Sequence, residues 1–244
     1  MGLHVGHYKV SVENEGIATV HRIMMELPLK FGFAPKRWCS SVQLMLQKDP
    51  GQPWIHRLRI IELLDAAYNG ALMIFIGRKM VHHAKKKECL HPSNYGSVPG
   101  RTAQSAVLHK KLSIDVIKQK RESGAVFECD ATGCYDRILP NLQTIHTRRI
   151  GLTKNAALTM SKSLKQMKRY VRTKFGQSKK HIKTNSSKVL YGIGQGSGGG
   201  PGVWLTHSTV LFNILERHCV TPTYKSVDNE IICTSGGTGF VDDV

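Results

Sequence analysis

The chain is poor in acids, in long apolar runs and in paired cysteines. Over 244 residues it sets 17 Asp and Glu against 35 Lys and Arg, a formal net charge of +18. Like charges on a compact body repel, so this excess does little for folding. It does concentrate a polyanion at the surface and speed its association. Nucleic acid is therefore the leading partner class, ahead of an anionic membrane surface. No run of about 18 apolar residues occurs, which excludes a membrane-spanning helix. The opening MGLHVGHYKV lacks the apolar stretch of a secretory signal, and Gly6 breaks the myristoylation pattern. The six cysteines are scattered without a C-x-x-C pair. The expectation is an intracellular protein with reduced thiols, no disulfide-linked partner and no structural zinc. No G-K-[ST] is present, so a P-loop is excluded.

What is there alternates irregularly between helix and strand. Ile17, Val20, Ile23, Met24 and Leu27 recur at helical spacing, and Pro28 is expected to close that helix. VQLMLQKDPGQPW reads as a strand entering a Pro/Gly turn, and a long helix is expected over about 62–87. HPSNYGSVPGR is loop, and Ala103, Val107, Ile114 and Ile117 mark another helix. SGAVFECD has the pattern of a short buried strand with a carboxylate at its tip. Steps of three and four through Ala157, Met160, Leu164, Met167 and Val171 predict one amphipathic helix over 154–175, with Lys162, Lys165, Lys168 and Arg169 on its other face. GQSKKHIKTNSSK is an exposed basic loop or hairpin, VLYGI a strand, GQGSGGGPG a loop and VWLTHSTVLFNILERH a helix. EIICTSGGTGFVDDV closes the chain as strand, turn and strand. The fold class is α+β without an internal repeat. Each basic run alone reads as a solvated face; together, with few acids between them, they favour a groove for a polyanion.

In so basic a chain, acids next to apolar runs carry information. Asp130 ends VFECD, and Asp242 and Asp243 follow GFV. Adjacent unit charges about 4 Å apart repel by roughly 4 kcal/mol at an effective dielectric near 20. A buried carboxylate without a partner takes up a proton or finds a cation. Side chains alternate along a strand, so the pair shares a direction only in a turn. Gathered with Asp130, it suits two Mg²⁺ ions about 3.5–4 Å apart, as in-line phosphoryl transfer uses them. Taken alone, the dipeptide also reads as an ordinary turn. A competing motif is GQGSGG at 194–199, which satisfies G-x-G-x-x-G and would make the chain a dinucleotide-binding oxidoreductase. Pro201 and the lack of a convincing acid at the end of a second strand argue against it.

The order of these motifs resembles the reverse transcriptase family, in particular its non-LTR retrotransposon type. FECDATGCYDRI is similar to the family's first catalytic block, GIGQGSGGGP to its G-x-x-Q-G-x-x-x-[SG]-P block and GFVDDV to its [YF]-x-D-D block. LQKDPG and HRLRIIELLDAAYN look like fingers strands, and NYGSVPGR like a block that usually opens with Gln. The likeness runs from about Trp38 onward. It implies a right-hand polymerase fold, with an N-terminal extension and fingers over 1–123 and an incomplete palm over 124–244. A basic fingers insertion falls at about 150–190, and the thumb is absent. It implies an RNA-directed DNA polymerase taking an RNA template, a DNA primer and deoxynucleoside triphosphates. Asp130, Asp242 and Asp243 would be the catalytic and metal-binding groups for two Mg²⁺ ions, with the Ala131 backbone beside the metal. Tyr135 would lie under the incoming sugar, Gln195 and Gly196 at nucleotide and template, and Lys48 and Arg59 on the triphosphate. The chain departs from the pattern at Asn94 for Gln, Ile60 for Pro, and Gly198 to Gly200 before Pro201. It also stops at Val244, just past the aspartate pair. A catalytically inactive, nucleic-acid-binding remnant of such an element is the alternative.

Overall fold

The alternating run SSVQLMLQ forms β1 (Ser40–Gln47) and turns back as β2 (Leu58–Leu64), antiparallel from Ser41↔Leu64 to Gln47↔Leu58. The description is of a computed structural model, covering residues 5–52, 54–131, 133–185, 192–218, 223–225, 228, 230, 232–234 and 237–240. On the other side of β1, β3 (Lys168–Thr173) pairs in parallel, and β4 (Gly176–Gln177) extends it as a tight hairpin. The resulting sheet has the order β2-β1-β3-β4. A second pair, β5 (Thr223–Lys225) with β6 (Ile232–Thr234), is antiparallel.

Helices build the remainder. α1 (Val5–Glu13) and α2 (Glu15–Phe31) precede the sheet. Behind β2, Asp65 caps α3 (Ala66–Leu72) by accepting the amides of Ala67 and Tyr68. That helix continues through a π-helical segment, Met73–Met80, into α4 (Val81–Lys86). α5 (Ala103–Lys120), α6 (Pro140–Arg149), α7 (Lys154–Lys165) and α8 (Gly200–His218) follow. The core lies where α3, the π segment, α7 and α8 meet: Tyr68, Ile76, Met160, Met167 and Val203 are almost wholly buried, and Trp38 stacks on Tyr68 at 5.0 Å between centroids.

Four expectations fail for identifiable reasons. Pro28 does not end α2. The helix runs three residues further to Phe31, and Gly32, at φ 73, caps it by donating to the Pro28 carbonyl. That carbonyl also accepts from Thr159 Oγ1 at 2.6 Å, so a tertiary bond helps hold the turn that proline weakens. Residues 62–64 belong to β2, because β1 supplies a ladder there. The helix expected over 154–175 stops at Lys165, and the following KRYVRT is drawn into the sheet beside β1. SGAVFECD is not a buried strand. Residues 122–129 have no regular structure, with Val126 54% and Phe127 85% exposed. An apolar run becomes a strand only where a sheet edge receives it, and among the described residues none does. Of VLYGI, Val189 to Tyr191 lie outside the described residues, and Gly192 and Ile193 are loop.

Candidate functional site

The glycine stretch is a junction between two distant parts of the chain. On one side, Gly192 N–H donates to the Ile138 carbonyl at 2.9 Å and Ile193 N–H to the Tyr135 carbonyl at 3.0 Å. On the other, the Gln195 carbonyl accepts from Glu62 N–H at 2.6 Å, which covers the free edge of β2. Asn69 on α3 then clamps the loop from both sides, donating to the Gly196 carbonyl at 3.3 Å and accepting from Gly198 N–H at 2.6 Å. Close approach explains the composition. A Cβ on Gly194, at φ +72, would stand 1.9 Å from Glu62 Oε2, and one on Gly198 would stand 2.7 Å from Met73 Cβ. Gln195 is half-buried and Gly196 exposed, so the two sequence-predicted contacts sit at the outer turn of this loop. The loop is not built as a pyrophosphate cradle. Its amides at Ser197, Gly198 and Gly200 are used internally, and a carboxylate lies beneath it.

That carboxylate belongs to a network invisible in the sequence. Glu62 is 3% exposed and accepts from Ser41 Oγ at 2.6 Å and from Arg169 Nε at 3.1 Å. Arg169 is 6% exposed, and its Nη1 is buried with no hydrogen-bond partner among the described residues. Burial first, and then the Glu62 carboxylate, push the Asp136 carboxyl above its ordinary range, while Arg169 pulls the other way. A helix over 154–175 would have put Arg169 on a solvated face beside Lys168. As a strand, β3 sends these neighbours to opposite faces. No local pattern could have revealed the pair, since its members lie 107 residues apart.

The same alternation assembles a basic surface. Arg59 faces Leu46, Arg172 faces Leu44, Tyr170 faces Val42 and Lys168 faces Ser40. Even-numbered positions of β1 share one face, so Arg59, Lys168, Tyr170 and Arg172 do too, and Lys48 follows at the next even position beyond β1. Lys48, Arg59, Lys168 and Arg172 are all exposed, with half-buried Tyr170 among them. None of the four cations is in an ion pair with another described residue. The resemblance pointed to Lys48 and Arg59 as triphosphate contacts; Lys168, expected on a helix face, and Arg172 join them through the sheet.

Asp130 stands in an isolated bridge, exposed, its carboxylate making no hydrogen bond or ion pair among the described residues. Ala131 is half-buried beside it, and a left-handed Gly133 starts the 3₁₀ turn Cys134–Arg137. That turn lays the half-buried Tyr135 ring against Gly200 at the head of α8, 3.6 Å from the position of a Cβ there. Asp242 and Asp243 lie outside the described residues, but their approach does not. Gly239 pairs in parallel with Asn94, its N–H donating to Ser93 and its carbonyl accepting from Tyr95 N–H. Asn94 is buried and held by α8, donating to Thr209 Oγ1 at 3.0 Å and accepting from Ser208 Oγ at 2.9 Å. One helix therefore carries the glycine loop at its start and fastens the run-up to the aspartate pair at its middle. A free, solvent-facing carboxylate is a hard oxygen donor, the kind that Mg²⁺ takes. Asp130 fits that chemistry.

No family model matches the chain, and no curated protein does. Among solved structures it is similar to an apo telomerase from Candida tropicalis truncated from its C-terminal domain. The match has a TM-score of 0.51 and 13% identity, and covers 93% of this chain and 48% of that one. The chain thus spans about half the length of the structure it matches. The likeness shows the fold alone: an α+β chain folded like that telomerase structure.

Proposed function

We propose that this chain is the fingers and part of the palm of a polymerase that copies RNA into DNA. The observation that carries the reading is the double anchorage of the glycine loop. It ties the segment of Tyr135 and Ile138 to β2, the strand that carries Arg59, with Gln195 and Gly196 at its outer turn. A polymerase needs a triphosphate held by cations on one side and by carboxylates on the other.

In this reading Lys48 and Arg59 take the triphosphate oxygens from the exposed sheet face. Gln195 and Gly196 orient the nucleotide against the template, and Gly196, lacking a side chain, lets backbone approach a base pair. Tyr135, braced on Gly200, crowds the sugar at its 2′ position and favours deoxynucleotides. Asp130, Asp242 and Asp243 would hold two Mg²⁺ ions, which would supply a lowered pKa at the attacking hydroxyl and charge neutralisation at the leaving oxygen. Primer extension on an RNA template in Mg²⁺ tests the reading. Incorporation is expected from the unaltered chain and is expected to vanish in Asp242→Asn; incorporation that survives this change removes the assigned site.

A second reading is binding without catalysis. The exposed, irregular course of 122–129 favours it, because among the described residues it gives Asp130 no strand beneath it. Salt-sensitive RNA binding without any incorporation selects that reading.

A further inference from the structure

Across Leu72 and Ile76 from the glycine loop, α2, α3 with its π segment, α4, α7 and the 150–153 turn line a cavity of about 430 Å³. Small-molecule sites typically measure about 300–1,000 Å³. The interior is apolar: Leu72, Ile76, Met80, Ile150, Ala156 and Met160 are all buried and all line it. The mouth is cationic. Lys30, Lys79 and His83 are exposed where the cavity opens. Neither lysine is in an ion pair with a described residue; Lys79 Nζ rests 5.1 Å above the Phe75 ring and Lys30 Nζ 6.0 Å from the Phe31 ring. The acid at the mouth, Glu26, faces Arg22 one turn earlier at 3.6 Å. Leu72 and Ile76 also back the glycine loop, each with its Cβ 3.3 Å from the position of a Cβ on Gly199.

We propose that this cavity binds a small amphiphilic anion: an aliphatic or aryl body carrying a single carboxylate or sulfonate. The body replaces water against the apolar walls, and the head stays at the mouth, where Lys30 and Lys79 donate charge-assisted hydrogen bonds. A neutral ligand would leave the lysines unused, and a cationic one would be repelled by them.

The test is fluorescence titration of the full chain with 1-anilinonaphthalene-8-sulfonate, with decanoate and decylamine as competitors. Saturation at one equivalent is expected, with displacement by decanoate and none by decylamine. Lys30→Glu with Lys79→Glu is expected to weaken binding roughly tenfold or more, as loss of charge-assisted contacts does. Ala156→Trp, which fills the cavity, is expected to abolish it; Leu152→Trp, at a half-buried turn position, serves if circular dichroism shows the first variant unfolded. Non-saturable binding, binding that a folded Trp variant retains, indifference to the lysine reversals, or equal competition by decylamine overturns the proposal. None of these readouts depends on polymerase activity.

Discussion

The glycine loop rests on Glu62, which is paired with Arg169, and neither member of the pair gains from being charged unless the other is present. Both are buried and joined at 3.1 Å. Removing one member of such a pair costs about 3–5 kcal/mol, whereas replacing both with apolar groups is often close to neutral. Glu62→Leu and Arg169→Met are each expected to lower urea stability by about that amount, and the double variant by far less than the sum. Additive losses would show that the pair is not coupled. Gly194→Ala adds a methyl group where Glu62 Oε2 already stands, on a backbone at φ +72. The left-handed backbone alone costs about 1–2 kcal/mol, so a larger loss is expected from the clash. A third residue sets a pH dependence. Burial holds His207 down at about 4, and the neighbouring His146 is pushed down as well, by burial first and then by Arg149. The unfolded chain therefore binds more protons than the native one between an ordinary histidine pKa and about 4. Stability is expected to fall as the pH drops through that window. In thermal melts His207→Phe should flatten that part of the profile; an unchanged profile would exclude His207 as its source.

At the scale of elements, the glycine loop docks on α3 and the π segment through glycines rather than through side-chain packing. A Cβ on Gly77 would meet the Gly198 carbonyl at 2.7 Å. Gly77→Ala is expected to lift the loop, raising hydrogen exchange at the Gly198 amide by on the order of tenfold while α7 keeps its protection. Equal effects on both would mean general destabilisation. The elements that could be read from sequence were those with strong local grammar. The Asp-Pro-Gly turn after β1 and the regular spacing of α5 appear where expected. The helix expected over 203–218 is there as well, but it begins three residues earlier, at Gly200, inside the stretch read as loop. What failed depended on partners elsewhere in the chain. Residues 168–173 form a strand because β1 lies open beside them, and 122–129 form none because, among the described residues, no sheet edge receives them. Candidate site residues followed the same division: Gln195 and Gly196 were visible as a motif, while Glu62, Arg169, Lys168 and Arg172 are brought to their places only by sheet register.

For the whole molecule, an excess of +18 is useful only if some of it is gathered where a polyanion lies. The sheet face with Lys48, Arg59, Lys168 and Arg172 is one such place. Each phosphate neutralised contributes about −0.7 to the log–log salt slope for single strands and about −0.9 for duplex. Changing all four cations to Gln is therefore expected to reduce the magnitude of the slope for RNA binding by about 3. An unaltered slope would place the nucleic acid on another face. In the proposed function, Asp130, Asp242 and Asp243 would gather around one pair of divalent ions. Substituting Fe²⁺ for Mg²⁺, with ascorbate and peroxide, makes the bound ion cut nearby backbone, and mass spectrometry reads where. A shared metal site predicts cleavage both beside Asp130 and beside Asp242, suppressed at both places by excess Mg²⁺ and by Asp130→Asn. Cuts confined to one of the two segments, or a pattern that Asp130→Asn leaves unchanged, would contradict it.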